Sequence, residues 1–320
     1  MTDLAAVDRD STEFQSLIGD LASARAAVND IIVDKADAID LAFGALLAGG
    51  HLLVEDLPGV GKTTLAHALS LAVGGSWNRI QFTNDMLPAD ILGVSVFNRD
   101  NSEFEFRPGP IFANVVLADE INRATPRTQS ALLEAMAEGQ VTVDGQTHAL
   151  PRPFFVIATQ NPLDLTGTYP LPDSQLDRFL LRIGIGYPSA AEERRLLTEP
   201  DRKDLLSAMP CILDPERFRQ LIKAASELHV SEPVLDYIQA LVQATRTHAA
   251  IRAGLSPRGA LALIQTSRAL AFLKGLDFLT PDIVKSVFAP LAEHRLQTSS
   301  ESGLSSADVV NELLETTAVP

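Results

Sequence analysis

Apolar residues at the start of the chain recur with the period of a helix, and further along they gather into short runs. One face of the first predicted helix carries Leu17, Leu21, Ala24, Val28 and Ile31. A break at Val33 and Asp34 precedes a second predicted helix, which ends near Leu47. Two helices are therefore expected before the first strand.

Four runs rich in branched and apolar residues follow, and helical or loop segments separate them. The runs cover residues 51–55, 79–83, 115–119 and 154–159. Continuous apolar strands that alternate with helices are typical of a parallel sheet whose two faces are both covered. The pattern predicts an α/β domain with a parallel sheet flanked by helices.

Two β-hairpins are predicted beside this alternation of strands and helices. The first, at about 94–107, places two short strands around the sequence NRDNS and protrudes from a helix. The second, at about 140–150, has Asp144 and Gly145 where a tight turn joins two alternating strands.

The strand signal fades after Pro188, and the rest of the chain has helical spacing. Helices are predicted at 192–197, 217–228, 233–249, 257–273 and 281–296. We therefore expect three parts, namely a loose tail at 1–14, an α/β domain at 15–188 and an α-helical domain at 189–320.

The composition is that of an ordinary soluble protein. The chain has 320 residues, of which 46% are hydrophobic and 21% charged, and its net charge is −15. Such an acidic balance opposes non-specific binding to DNA, RNA or anionic lipid, because cationic side chains drive that binding. The longest uncharged apolar stretch, 41–54, is interrupted by Gly49, Gly50 and His51 and is shorter than the ~20 apolar residues that cross a bilayer, so no membrane span is expected.

The cysteine, the first residues and the histidines bear on where the protein resides and on whether it binds zinc. Cys211 stands alone and is expected to be a small buried residue in a reducing cytoplasm. The first dozen residues lack the pattern of a secretory signal. The six histidines form no zinc-binding motif. A cytoplasmic location is therefore expected.

The segment EDLPGVGKTTLA at 55–66 lies between a predicted strand and a predicted helix. Gly59 and Gly61 let backbone amides turn toward phosphate oxygens, Lys62 can reach the β and γ phosphates, and the Thr63 hydroxyl can bind Mg²⁺. Asp56 stands where the pattern G-x-x-x-x-G-K-[ST] has its first Gly, so its carboxylate must point away or bind solvent. The predicted phosphate-binding residues are Pro58, Gly59, Val60, Gly61, Lys62, Thr63 and Thr64.

A second motif, NVVLADEINRA at 114–124, places two carboxylates directly after an apolar strand. Ligands of open α/β sheets bind at the carboxyl ends of the strands. Asp119 suits contact with Mg²⁺, partly through water, and Glu120 suits polarising an attacking water. Adjacent acids at this place indicate hydrolysis.

A third strand end and two arginines complete the candidate site. In PFFVIATQNP the strand ends at Gln160 and Asn161, and Asn161 can orient the attacking water. Arg178 lies in LPDSQLDRF on a predicted short helix, and Arg258 lies in GLSPRGALAL at a predicted helix start. A lone arginine is usually a solvated surface residue, so these positions alone give neither residue a role.

Taken in order, these motifs resemble the MoxR family of AAA+ ATPases. The resemblance runs from LPGVGKT through LADEINRA, TQSALLEAMAEGQVTVDG, ATQNP and LPDSQLDRF to SPRGAL, and covers roughly residues 30–296. It implies an AAA+ core followed by an all-α lid, with ATP and Mg²⁺ as cofactors. The chain departs from the family at VDKADAID, where the family often has Gly-Gln, so adenine contacts are not assigned to Val33.

The resemblance also implies a role at the nucleotide site for each of the candidate residues. Lys62 and Thr63 take the Walker A roles, Asp119 and Glu120 the Walker B roles, and Asn161 that of the first sensor. Arg258 resembles the second sensor, acting within the same chain. Arg178 resembles an arginine finger offered to a neighbour, which implies a ring, expected to be a hexamer.

Three functions remain open at this point. The leading one is an ATPase that remodels partner proteins or loads their metal cofactors, with a von Willebrand factor A domain protein as the partner that the family implies. The hairpin aromatics Phe97, Phe104 and Phe106 either grip such a client or pack inward. The alternatives are a nucleotide-gated regulatory scaffold and a DNA-translocating ATPase, and the acidic charge and a 140–150 hairpin without Lys or Arg disfavour the latter.

Overall fold

The structure, a computed structural model, describes residues 12–162, 167–198, 202–299 and 303–319. Most of the tail predicted at 1–14 lies outside these residues, and the first helix begins at Thr12. The helices in chain order are α1 (Thr12–Ile31), α2 (Ala36–Leu47), α3 (Lys62–Val73), α4 (Pro88–Leu92), α5 (Pro126–Glu138), α6 (Asp173–Leu176), α7 (Ala190–Thr198), α8 (Arg202–Ala208), α9 (Pro215–Ser226), α10 (Glu232–Thr247), α11 (Pro257–Leu273), α12 (Pro281–Ala292) and α13 (Ser306–Thr316).

The strands fall into one large sheet and three two-stranded ribbons. In chain order they are β1 (His51–Glu55), β2 (Trp77–Gln81), β3 (Gly93–Asn98), β4 (Glu103–Pro108), β5 (Val115–Asp119), β6 (Gln140–Val143), β7 (Gln146–Ala149), β8 (Phe155–Gln160), β9 (Phe179–Ile183), β10 (Ile251–Ala253) and β11 (Gln297–Thr298). The large sheet is parallel, in the order β2-β5-β8-β1-β9. The predicted α/β fold is therefore confirmed.

Successive residues of the central strands pack into two different hydrophobic clusters, one on each face of the sheet. On β1, Leu52 and Val54 join the cluster formed with α1, α2, α3 and the later helices, whereas Leu53 joins the cluster under α5. All three are buried. Burial on both faces explains why the strands appear in the sequence as unbroken apolar runs.

The strand β9 is a member of the sheet that the sequence did not reveal. It pairs with β1 in parallel, with Leu52 beside Leu181. Gly50 permits the close approach, because a Cβ at that position would lie 2.4 Å from Leu180 Cδ2. The run FLLRI is short and directly follows the charged pair Asp177 and Arg178, so no glycine or proline marks its start.

Both predicted hairpins form, as the pairs β3–β4 and β6–β7. Asp144 and Gly145 both have positive φ, at 49° and 79°, as a tight hairpin turn requires. Of the three hairpin aromatics, one packs inward and two are exposed. Phe106 packs between His148, at 3.8 Å between ring centroids, and Phe112, at 5.5 Å, whereas Phe97 and Phe104 are 49% and 73% exposed.

Helices α9 to α13 form the helical lid that follows the sheet domain, and the ribbon β10–β11 lies within it, so the expected all-α lid also has a short β element. Its central helix α11 packs against α2, α9 and α12. The predicted boundary near 188 falls between Ile183, where β9 ends, and Ala190, where α7 begins. Cys211 is exposed, so its expected burial was wrong, since it lies in the irregular segment before α9. Within the described residues no helix has the length and apolarity of a membrane span.

Candidate active site

The phosphate loop connects β1 to α3 at the carboxyl edge of the sheet. Gly59 and Gly61 have φ of 84° and 94°, a region that favours glycine. Gly61 is the N-cap of α3, and Lys62 is the first residue of that helix. Unpaired amides and the positive end of the helix dipole thus meet at one point, which is a site suited to an anion.

Lys62 folds back over this loop. Its Nζ donates to the backbone oxygen of Asp56 and to that of Gln160 at 2.9 Å. Burial lowers the pKa of Lys62 from its ordinary value, and the surrounding carboxylates, Asp56 foremost, oppose that shift. The ammonium therefore spans the crevice between the loop and the end of β8, where a phosphate would lie.

Asp56 points away from the loop and ties it to another part of the chain. Its Oδ2 accepts hydrogen bonds from the amides of Ile185 at 2.6 Å and Gly186 at 2.5 Å, and its Oδ1 accepts one from Leu57 at 2.7 Å. Residues 184–189 link β9 to the later helices. An aspartate at this position therefore fastens the start of the phosphate loop to the interdomain linker.

The two carboxylates at the end of β5 are held by different partners. Asp119 accepts a hydrogen bond from Thr159 Oγ1 at 2.6 Å and pairs with Arg79 Nη2 at 2.7 Å. Glu120 pairs with Arg123 Nε at 3.0 Å and accepts from Gln81 Nε2 at 2.9 Å. Asp119 is buried, whereas Glu120 is partly open to solvent.

Glu120 also has an unusual backbone. Its φ of 56° and ψ of 49° lie in the left-handed region, which few residues other than glycine adopt. Strain of this kind costs of order 1–3 kcal/mol and gathers at functional sites. The backbone turns sharply after Asp119, so the two neighbouring carboxylates enter different surroundings.

Asn161 follows β8, which lies between β5 and β1 in the sheet. Because all three strands are parallel, their carboxyl ends meet at one edge. The structure thus brings Asn161, Asp119, Glu120 and the phosphate loop to the same edge, as the sequence predicted.

A cavity beside the phosphate loop has mostly apolar walls. It lies between the α1–α2 connection, the loop and the linker after β9, and its lining includes Ile32, Val33, Val60, Ile185 and Pro188. Its polar end holds Glu192 and Arg202, which form an ion pair. The sequence assigned no adenine contact to this wall, because VDKADAID departs from the family pattern.

Arg178 and Arg258 lie at the opposite edge of the sheet. Arg178 immediately precedes β9, and the first residue of β9 pairs with His51, the first of β1. We call the edge at which the parallel strands begin the amino edge, and the edge at which they end the carboxyl edge. A strand of five residues spans roughly 13 Å, so the amino edge is remote from the phosphate loop. Arg258 lines a second cavity together with Arg178, so the structure does not bring it to the phosphate loop of its own chain.

Sequence reasoning missed the partners of the carboxylates. Arg79 and Gln81 alternate on β2, directly beside β5, and Gln81 pairs with Asp119 in register. The available signal was Arg79 and Gln81 at i and i+2, on either side of Ile80, the buried residue of this strand. Only the strand order reveals that this strand neighbours the one that ends in two acids.

Comparisons with known proteins agree with this geometry. Residues 51–181 match the family described as "ATPase family associated with various cellular activities (AAA)", and residues 243–313 match the AAA lid domain. The chain is 44% identical to the uncharacterized protein YeaC of Bacillus subtilis, over 92% of each chain. It is 38% identical to the chaperone MoxR1 of Mycobacterium tuberculosis, over 92% of this chain and 80% of that one.

A solved crystal structure from Cytophaga hutchinsonii has the same fold. It superposes with a TM-score of 0.82 and 31% sequence identity, and the match covers 97% of this chain and 100% of that chain. Together with the phosphate loop and the paired carboxylates at one sheet edge, these similarities show that the chain belongs to the MoxR family of AAA+ ATPases.

Proposed function

We propose that this ATPase hydrolyses ATP to ADP and phosphate to remodel or mature partner proteins, including the insertion of metal cofactors. The observation that supports hydrolysis is the convergence of the phosphate loop, Lys62, Asp119 and Glu120 at one edge of the sheet. Glu120 acts as the base that polarises the attacking water, and Asn161 orients that water. Residues 58–64 hold the phosphates through backbone amides and Lys62.

Mg²⁺ fits the donors at this edge. Thr63 and Asp119 offer a hydroxyl and a carboxylate, which are the oxygen ligands that this cation prefers. When bound, Mg²⁺ offsets the charge of the phosphate oxygens. The apolar cavity at Val33, Val60 and Pro188 suits the adenine base, because a flat heterocycle binds well between aliphatic side chains.

Steady-state ATP turnover tests this assignment. Glu120→Gln keeps the shape of the side chain and removes the base, so turnover should fall by at least about 10²-fold. Lys62→Ala should lose nucleotide binding as well. Glu315→Gln, which changes an exposed glutamate on the last helix, should leave turnover within about twofold. Unchanged turnover in Glu120→Gln would refute the hydrolytic role.

We further propose that the site is completed by a neighbouring subunit in a ring, expected to be a hexamer. Arg178 and Arg258 share the amino edge, and neither is near its own phosphate loop, which supports a role for both at the nucleotide of the next subunit. This arrangement replaces the expectation that Arg258 acts within its own chain. An arginine that meets the transferred phosphate stabilises its developing charge.

Mixed rings test the trans arrangement. Subunits with Arg178→Ala keep an intact phosphate loop, and subunits with Lys62→Ala keep an intact arginine. Each variant alone should be inactive, and a mixture should recover turnover because some interfaces combine the two intact halves. If mixing, verified by mass photometry or two-colour labelling, restores nothing, then Arg178 does not act across an interface.

The exposed hairpin aromatics Phe97 and Phe104 are proposed to contact the client, with a von Willebrand factor A domain protein as the partner. Affinity capture with the hydrolysis-blocked Glu120→Gln variant should retain such a protein. The same bait carrying Phe97→Ser and Phe104→Ser should lose it while its ATP binding stays unchanged. Equal capture by both baits would remove the hairpin from client binding.

A second candidate function is a nucleotide-gated scaffold, and the pairing of both carboxylates favours it. Asp119 is occupied by Arg79, and Glu120 by Gln81 and Arg123, so the described state is not poised for hydrolysis. ATP would then switch the ring, and hydrolysis would only reset it. Full biological activity of Glu120→Gln in cells, with normal assembly in ATP, would favour this function over remodelling.

A further inference from the structure

The segment that carries Arg178 is held by residues of the lid. It comprises α6 and the start of β9, at 173–180. Three lid residues that follow α12 bond to it, namely His294, Arg295 and Gln297. Gln297 Nε2 donates to Asp173 Oδ2 at 2.6 Å, and His294 Nε2 lies 3.1 Å from the backbone oxygen of Phe179.

Arg295 makes most of these bonds. Its Nε donates to Asp177 Oδ1 at 2.8 Å, its Nη2 to the oxygen of Phe179 at 2.6 Å, and its Nη1 to that of Leu180 at 3.0 Å. The residues on both sides of Arg178 are thus bonded to one guanidinium. Arg178 itself donates to the oxygen of Leu133 on α5.

The arrangement is rigid because of the chemistry of the arginine side chain. Only 4% of the Arg295 side chain is exposed, and a buried cation is tolerated only where its donors are paired. The guanidinium is planar and directs five N–H groups in fixed directions. It therefore fixes the positions of the carbonyls that it binds, which a flexible ammonium group does not do.

Asp177 brings Arg258 into the same cluster. One of its carboxylate oxygens accepts from Arg295, and the other lies 3.9 Å from Arg258 Nη1. Arg258 lies on the lid helix α11 and is 71% exposed, whereas Arg295 is enclosed. All three arginines line the surface cavity, but Arg295 is almost fully buried and bonds inward, whereas Arg178 and Arg258 are more exposed.

We infer that Arg295 is a positioning residue for Arg178, through which the lid of one subunit sets the place of the arginine that serves the next subunit's nucleotide. The inference rests on the proposed trans function of Arg178. Its consequence is that a shift of the lid in one subunit moves the 173–180 segment with it. The nucleotide state on one side of a subunit is then transmitted to the site on its other side.

Arg295→Lys tests this inference because it keeps the charge and loses the planar fork. We expect kcat to fall about 10- to 100-fold, while KM for ATP and the affinity for ATP, measured by titration calorimetry, change by less than about twofold. Glu293→Gln is the matched control. It alters a neighbouring lid residue whose contact is Arg182 at 3.3 Å and not the 173–180 segment, so its turnover should stay within about twofold.

Mixed rings separate positioning from a general structural defect. Arg295→Lys subunits should recover turnover when mixed with Lys62→Ala subunits, which have intact arginines. They should recover none with Arg178→Ala subunits, because both variants lack the same half of the interface. The reverse pattern, or a loss of ATP affinity that matches the loss of kcat, would overturn the inference.

A second variant covers the case in which Arg295→Lys does not fold, as judged by circular dichroism and thermal unfolding. Asp177→Asn weakens the same contact from the partly exposed side and should show the same pattern of recovery. If Arg178→Ala is inactive while Arg295→Lys and Asp177→Asn both turn over normally, only the positioning role fails. If Arg178→Ala itself turns over normally, the trans function fails, and the positioning role fails with it.

Discussion

The carboxyl edge of the central sheet and its amino edge differ in the charges that they hold and in how those charges are satisfied. At the carboxyl edge, acidic side chains and backbone amides surround Lys62, and each carboxylate has a basic or amide partner within the chain. At the amino edge, Arg178 and Arg258 line an open cavity, and a single carboxylate, Asp177, faces the arginine cluster. One edge carries the phosphate loop and its carboxylates, and the other carries two arginines that lie far from that loop.

This difference supports the proposed ring, in which two neighbouring subunits share one nucleotide site. A subunit cannot bring the two edges together, because the length of its strands separates them. Two subunits can, when the amino edge of one lies against the carboxyl edge of the next. Nucleotide binding should then depend on the carboxyl edge alone, whereas turnover should depend on both edges, and the following predictions test that separation.

The largest expected effect is that of Arg178→Ala on turnover. Loss of an arginine that meets the transferred phosphate should lower kcat by about 10³-fold or more. ATP affinity should stay within about threefold, because the residue is remote from its own phosphate loop. Lys62→Ala should instead abolish binding, and both affinities can be measured by calorimetry. A parallel loss of affinity in Arg178→Ala would break the distinction between the edges.

The next effect concerns Asp56 at the carboxyl edge. Asp56→Ala removes the acceptor of three backbone amides, and hydrogen bonds to a charged group are worth about 1.5–3 kcal/mol each when buried. Since Asp56 is only partly buried, we expect about 3 kcal/mol of lost unfolding free energy, measured in urea. Asp56→Asn keeps one acceptor oxygen and should lose less. Equal stability of all three proteins would mean that the loop does not need its tie to the linker.

A smaller effect is expected from His51 at the amino edge. Its Nδ1 accepts from the Val156 amide at 3.0 Å, and its Nε2 lies 3.2 Å from the oxygen of Met136. Burial lowers the pKa of His51 to about 4, below the usual value of about 6.5. The unfolded chain therefore binds this proton more readily than the folded one, so the stabilisation is present above pH 6.5 and is lost as the pH falls toward 4.

His51→Gln should flatten this part of the pH dependence. Between pH 7.5 and pH 5 the wild type should lose about 2 kcal/mol more unfolding free energy than the variant, as measured by denaturant titrations at each pH. The exposed His229→Gln serves as the control. If wild type and His51→Gln lose stability in parallel, the His51 imidazole is not held neutral in the fold.

The smallest effect is expected from Arg79, which pairs with Asp119 at the carboxyl edge. Mg²⁺ must compete with this guanidinium for the carboxylate. Arg79→Leu should lower the Mg²⁺ concentration that gives half-maximal turnover several-fold. This change corresponds to about 1 kcal/mol in the apparent free energy of Mg²⁺ binding. Arg107→Leu, on the exposed hairpin, should leave that concentration unchanged. A higher Mg²⁺ requirement in Arg79→Leu would instead make Arg79 a support for the site.

Local sequence predicted most of the elements, because their signals are local. The phosphate loop, the carboxylates after β5 and the turn at Asp144 and Gly145 each depend on a few adjacent residues. The strand β9 was missed because its apolar run is short and no turn residue marks its start. The expected burial of Cys211 was wrong because cysteine is buried on average, whereas this residue lies in an irregular segment at the surface.

The sequence by itself determined the fold class and the family and predicted the candidate hydrolytic site, because the spacing of glycines, carboxylates and apolar runs encodes strands, helices and their ends. The tertiary structure decided what depends on distant segments meeting. It gave Asp56 its partners in the linker, joined Arg79 to Asp119 across two strands, and moved Arg258 from its own nucleotide site to the side of Arg178. The physical reason is the parallel pairing of strands that are distant in the sequence. The pairing of β2 with β5 brings Arg79 to Asp119, and the pairing of β9 with β1 puts Arg178 at the edge where the strands begin.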